Sequence, residues 1–266
     1  MALTFCFARG NRGGSFAAGP AAPVADEGIT DADILAMSPV WWLDADAEYV
    51  EEGSGDPVET DGDAVTTWLD RSGNDRDWVQ STAGYAPHWY SSGTNSKPYV
   101  HVDADRLKWV ADATYSTPMT MYFVMSFDSP FTYATKILDA SEDLLSTHYA
   151  GVWPNSLQTG FGVTGSSVVK YYNVQSTDTQ ILQLLAGGAS GAYELRLDGG
   201  ADEGVDSGSG AAADDDWVAS GATAYFGFGN KFKAYEWIVI NDVTHNQDTV
   251  FSYLGDKYDI DVEDVE

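Results

Sequence analysis

Clustered carboxylates, histidines, a cysteine, and aromatics set beside Asp or Asn are the residues of this 266-residue chain that could do chemistry. Asp44-x-Asp46-x-Glu48 opens like an EF-hand loop, but Tyr49 stands where the loop's Gly is required and Gly55 where its final Glu belongs. Asp214-Asp215-Asp216, with Asp202-Glu203 and Asp61-Gly62-Asp63, could supply oxygen ligands to a Ca²⁺ ion, although so acidic a chain produces such runs by composition. No other cofactor is expected. His88, His101, His148 and His245 lie far apart, without the spacing of a transition-metal site. Cys6 falls in the N-terminal tail and no Gly-x-Ser-x-Gly is present, so nucleophilic catalysis finds no support.

Aromatics offer more. A pyranose stacks its C–H face on a ring while its hydroxyls need polar partners, so exposed aromatics flanked by Asp or Asn are what sugar binding asks for. Trp89-Tyr90, Trp153 with Asn155, Tyr171-Tyr172-Asn173, and Trp217 after the Asp run meet that description. Trp153, before Pro154, and Trp217 lie in loop-like sequence and lead the set. For most of these aromatics the simpler reading is packing between sheets.

The elements that would position them read as strands. There are 9 Trp, 15 Tyr, 11 Phe and 27 Gly, a mix that suits many short strands and tight turns rather than a helical bundle. In Thr67-Trp68-Leu69-Asp70, alternate side chains face opposite sides, and Ser72-Gly73-Asn74 then stops the strand. Asp70 is placed to accept backbone N–H groups of that turn and hold it shut. Val40–Ala45 reads as the first strand of the main domain, and Met119–Phe127 as a central one with two apolar faces. Asp198-Gly199-Gly200 gives a hairpin signal after Tyr193–Leu197. Thr30-x-x-Asp33 predicts an N-capped helix reaching Met37, and Thr244-x-x-Gln247 a second helix with Val250, Phe251, Leu254 and Tyr258 on one face.

The organisation expected is an arm, linker and short helix over residues 1–38, then one domain over 39–266. Leu3, Phe5 and Phe7 share one side of a short strand, followed by Gly/Ala/Pro-rich sequence to Ala25. Such a strand on a leash can add to a neighbouring subunit's sheet and serve as an anchor.

Net charge is −28, from 41 acidic against 13 basic residues, which argues against a nucleic-acid partner. The acids are spread through every loop, as expected of a halophilic or marine protein. No run approaches the roughly 20 apolar residues of a membrane span. With one cysteine the chain forms no internal disulfide, and the Arg9/Arg12 and Gly-rich start does not read as a secretory signal. Assembly into a virus particle in the host cytoplasm, followed by lysis, would take such a domain outside the cell.

Several segments, in order, resemble the concanavalin A-like, laminin-G-like jelly-roll domains of phage and bacterial surface proteins. They are Val40–Ala45, the Thr67–Asn74 corner, Pro87-x-Trp89, Lys97-Pro98-x-Val100-x-Val102-Asp103, Thr120–Phe127, Leu195–Gly199 and Ala224–Gly227. The closing Ala234–Asn241 segment, with a helix ending Tyr253-Leu254-Gly255-Asp256-Lys257-Tyr258-Asp259-Ile260, is the most telling. The resemblance spans about residues 39–262. It implies an all-β, antiparallel jelly-roll β-sandwich with a short C-terminal helix, in which the first and last strands pair.

Glycosidases of that scaffold carry Glu-x-Asp-x-x-Glu on one strand, placing two carboxylates about 5 Å apart. Glu194-Leu195-Arg196-Leu197-Asp198 has the wrong spacing, and Glu236 has Ile238 where the Asp belongs. The expectation is therefore no enzyme but a virion surface protein, decorating a capsid or forming a tail or receptor-binding part. It would bind other virion proteins, further copies of itself and host glycans. A cellular carbohydrate-binding module or lectin is the alternative, and a glycoside hydrolase the remaining one.

Overall fold

Alternation along Trp41-Trp42-Leu43-Asp44 sends Trp41 and Leu43 to one side of the strand and Trp42 and Asp44 to the other, and all four are buried. A strand covered on both faces belongs inside a layered body, and the computed structural model places it there. It describes residues 28–116, 118–128, 135–139, 149–155, 158–165, 168–173, 178–186, 193–200, 205–206, 216–218, 221, 223–228 and 231–263.

The first half of the chain supplies α1 (Asp31–Ala36), β1 (Trp41–Asp44), β2 (Val50–Glu51), β3 (Thr67–Trp68), β4 (Trp78–Val79), β5 (His88–Tyr90), β6 (Tyr99–Asp103), β7 (Leu107–Val110), β8 (Tyr115–Ser116) and β9 (Met119–Phe127). The middle adds β10 (Thr135–Asp139), β11 (Tyr149–Asn155), β12 (Gln158–Gly165), β13 (Val168–Asn173), β14 (Gln180–Ala186), β15 (Tyr193–Leu197) and β16 (Val205–Asp206). The end supplies β17 (Asp216–Val218), β18 (Thr223–Phe228), β19 (Lys231–Ile240) and α2 (Gln247–Tyr258).

Two antiparallel sheets result. One runs β15-β14-β9-β19-β6-β5, with β1 also beside β19; the other runs β16-β13-β12-β11-β10-β18-β7-β4-β3-β2. β8 and β17 form a separate pair. Trp41 sits opposite Val239 and Leu43 opposite Trp237, so the first and last strands pair as expected.

Between the sheets lies an aromatic core. Trp41 packs against Trp78, Trp109 and Trp237 at centroid separations of 6.0, 5.2 and 5.4 Å, and Phe226 stacks on Trp237 at 5.3 Å. A second core forms on the outer face of the first sheet, where α1 and α2 cover Trp42, Tyr122, Val124, Ile181, Ile238 and Ile240. Ile34 of α1 is fully buried there.

Asp70 acts as the corner lock. Its carboxylate accepts the backbone N–H groups of Ser72 (2.9 Å), Arg76 (3.1 Å) and Trp42 (2.9 Å). The corner is thereby tied to β1 as well as closed on itself.

Two local expectations change. The helix after β19 is capped by Asn246, whose side chain accepts from Thr249 N at 3.3 Å, because Thr244 is engaged with the Asp242 carboxylate. The Asp198-Gly199 turn does not close a two-residue hairpin: Asp198 accepts Ile181 N on β14 and, through its carbonyl, Glu263 N near the chain end. A Cβ on Gly199 would come within 2.2 Å of the Glu263 carbonyl oxygen, and its φ is +84°, so the approach requires Gly.

Candidate functional site

The outer face of the first sheet is divided by what covers it. Over β1, β9 and the end of β19 lie the helices, and beneath them sits a buried charge network. Register shifts in β19 between Ala234 and Glu236, so inward positions change from Phe232 and Ala234 to Trp237 and Val239. Tyr235 and Glu236 consequently both face α2. Glu236 lies opposite Asp44 and accepts from Trp42 Nε1 (2.6 Å) and the Tyr258 hydroxyl (2.9 Å). Lys257 reaches both carboxylates, at 2.5 Å from Asp44 and 2.8 Å from Glu236.

Arg71, from the Asp70 corner, pairs with Asp44 and Asp31 and lies 4.1 Å over the Trp42 ring. Burial, then the neighbouring Asp44, pushes the Glu236 pKa up. Burial alone would pull Lys257 down, but Glu236 and Asp44 outweigh it and raise its pKa. Above the network opens a cavity of about 490 Å³, lined among others by Asp46, Glu48, Arg71, Tyr253 and Asp256. Asp44 is thus held between Arg71 and Lys257, and Glu236 by Lys257 with the Trp42 and Tyr258 donors, which makes this a clasp between β1, β19 and α2.

Beyond the helices the same face opens. Period-two alternation on β5 and β6 turns Trp89, Val100 and Val102 into the core and leaves Tyr90, Tyr99 and His101 half-buried on the outside. Tyr90 sits opposite Tyr99, and their rings stack at 5.1 Å with 13° between planes. His101 meets both rings edge-on, and its Nε2 is 2.6 Å from Asp128 Oδ2. Lys233 on β19 approaches Asp128 at 3.6 Å and lies 5.2 Å from the Tyr99 centroid. Burial, then the adjacent Tyr90, raises the Tyr99 phenol, which therefore stays a neutral hydrogen-bonding group near neutral pH.

The 91–96 loop fixes the ledge. Asp61 accepts Ser91 N at 2.7 Å, and Asn95 donates to the Tyr258 carbonyl at the end of α2. A Cβ on Gly93 would come within 2.6 Å of the Tyr99 ring and 2.7 Å of the Tyr235 hydroxyl, so Gly permits the close approach. A rigid stacked pair ringed by a carboxylate, an imidazole and an ammonium can take a flat apolar surface and hydrogen-bond its edges.

Of the residues expected to touch sugar, Tyr90 joins this ledge. Trp89 does not: it is 4% exposed and donates its indole N–H to the Ala45 carbonyl at 2.8 Å, because its strand position faces the core. Trp153 and Asn155 lie on β11 and Trp217 on β17, strands rather than the loops expected; their side chains fall outside the described residues. The strand persists through Pro154 because β11 pairs with β12 along its length. Asp214 and Asp215 lie outside the described residues and Asp216 opens β17, with its side chain outside them too. Leu3, Phe5 and Phe7 also lie outside the described residues. Among the described residues, no three His, Cys, Asp or Glu gather as a metal site. Sequence reading missed Tyr99, His101 and the Arg71–Lys257 clasp. The signal available was the scarcity of cations, since Arg71 and Lys257 both fall inside segments carrying the family resemblance.

No model of a known protein family matches the sequence, and no curated protein does. Solved structures do resemble the fold. A Trypanosoma rangeli sialidase in complex with 2,3-difluoro-KDN matches with a TM-score of 0.52 and 11% identity, over 93% of this chain and 37% of the sialidase chain. The same enzyme with sialic acid gives 0.52 and 9%, over 86% of this chain and 34% of that one. A structure of botulinum neurotoxin type C, whose cell entry depends on two ganglioside molecules, gives 0.49 and 8%, over 86% of this chain and 53% of that one. This chain spans about a third of the length of the sialidase chains it resembles.

At such identities the likeness establishes the fold, an all-β sandwich of two antiparallel sheets with a short C-terminal helix. One expectation is corrected by it. The absence of Glu-x-Asp-x-x-Glu does not set enzymes aside, since the sandwich resembles parts of sialidase chains. A missing local motif says nothing of carboxylates brought together from distant segments, as Asp44 and Glu236 are.

Proposed function

We propose that this chain is a glycan-binding β-sandwich displayed on the surface of a virus particle, as a capsid decoration or a tail or receptor-binding component. The observation that carries the glycan reading is the stacked Tyr90–Tyr99 pair, outward-facing and flanked by His101, Asp128 and Lys233. A sugar ring laid on that pair gains stacking contact, while the flanking groups take its hydroxyls. Ligands named with the similar structures, sialic acid and its analogues, support a sugar as the ligand class. Particle display is supported by the ordered likeness of Val40–Ala45, Thr67–Asn74 and Ala234–Ile260 to phage surface jelly rolls. The N-terminal arm with Leu3, Phe5 and Phe7 would be its tether to other virion proteins.

Glycan-array screening of the full chain, with titration of the best ligand, tests the binding reading. Tyr90→Ala should weaken that ligand about tenfold or more, and Leu35→Ser on the exposed side of α1 should leave affinity unchanged. Equal affinity for Tyr90→Ala and the parent would overturn the assignment.

A further inference from the structure

The outer face of the second sheet carries a feature of the opposite character. β4, β7 and β18 lie side by side, and their outward positions hold Val79, Lys108, Val110 and Tyr225. Val79 and Val110 are 39% and 58% exposed, and Tyr85, on the turn before β5, is 50% exposed. Arg106 lies between the Tyr85 and Tyr225 rings, 5.2 and 5.1 Å from their centroids. Lys108 sits opposite both Val79 and Tyr225 and makes no ion pair among the described residues, where Arg71, Arg76, Lys231, Lys233 and Lys257 each make one.

Exposed apolar side chains around a lysine with no counter-ion among the described residues suit a partner with apolar contact and negative charge. A chain of net charge −28 offers such a surface itself. One concave place on it is the cavity of about 490 Å³, lined by Asp31, Asp46, Glu48, Asp256 and the Tyr253 ring together with Arg71 and Lys257. Those two cations are already engaged by Asp31, Asp44 and Glu236. A two-fold contact of this ledge with its own copy would set Lys108 against its equivalent, and like charges at close range oppose it. The complementary contact is head to tail.

We propose that the Val79–Tyr85–Lys108–Val110 ledge docks the acidic rim at Asp46, Glu48 and Asp256 of a second copy of this chain, building a ring or a filament. This contact uses neither Tyr90 nor Tyr99: its Lys108 side lies on the other sheet, and its acidic side is formed by the 46–49 turn and α2.

Sedimentation of the full chain at moderate salt, which screens its overall self-repulsion, tests the contact. The average mass should rise with protein concentration. Lys108→Glu and Glu48→Lys should each weaken association about tenfold or more, and an equimolar mixture of the two should associate again, because each supplies the charge the other lacks. Val110→Ser, which leaves every charge in place, should weaken association with an unchanged thermal unfolding curve. A parent chain monomeric at every concentration, a Lys108→Glu chain that associates like the parent, or a mixture that stays monomeric would each overturn the proposal.

Discussion

Single residues set the local geometry, and Asp198 shows how one is held against its own preference. Its carboxylate accepts Ile181 N at 2.7 Å, yet burial pushes its pKa up to about 6. A carboxylate raised above its unfolded value is a cost once ionised. Asp198 therefore lowers stability above about pH 6, and that cost disappears as pH falls toward the unfolded value near 4. Asp198→Asn keeps the acceptor and suits the left-handed backbone at φ 49°. Thermal unfolding at about pH 8 should show the variant more stable by about 1–2 kcal/mol, with the gap closing near pH 4. A variant less stable than the parent at pH 8 would contradict this. Such placement was only half legible. Asp-Gly-Gly announced a turn, but its partners, Ile181 and Glu263, lie 17 and 65 residues away and left no local mark.

Strands and helices carried most of what the sequence revealed. The β1–β19 pairing was legible only through the jelly-roll resemblance, which implies that first and last strands pair, whereas the Asp70 lock was legible because a Ser-Gly-Asn stop is a local pattern. Period two also told that Trp89 and Tyr90 face opposite ways, without telling which faces water. The shift in β19 at Tyr235 was hidden, because one extra residue reverses the parity of all that follows. That shift brings Glu236 under α2, where Lys257 holds it and Asp44 together. Lys257→Met would leave two buried carboxylates short of a cation and should cost about 3–5 kcal/mol in urea unfolding, with Glu236→Gln on the same chain restoring part of the loss. A single variant within about 0.5 kcal/mol of the parent would refute the clasp. Since its folded pKa is raised, the contribution of Lys257 is fully present below the ordinary lysine value of about 10.4 and is lost only as pH rises through the folded value.

Across the whole molecule, the two outer faces differ in what they present. One is half closed by α1 and α2 and half open at Tyr90 and Tyr99; the other presents Lys108 among exposed valines. Copies joined through the second face would carry many sugar ledges at once, and weak single contacts would then sum to firm attachment to a glycan-coated surface. Composition gave the many-stranded body and the acidic surface, but not which aromatics remain outside, because that depends on how far the helices reach over the sheet. The central claim is that the open half of the first sheet's outer face takes a sugar. Its most direct test is to follow the Tyr90 and Tyr99 ring signals and the His101 imidazole signals by NMR while titrating the best ligand from the glycan array. Saturable shifts confined to those three residues and their neighbours Asp128 and Lys233 are predicted; unmoved Tyr90 and Tyr99 signals, with shifts gathered at the Arg71 cavity or nowhere, would contradict it.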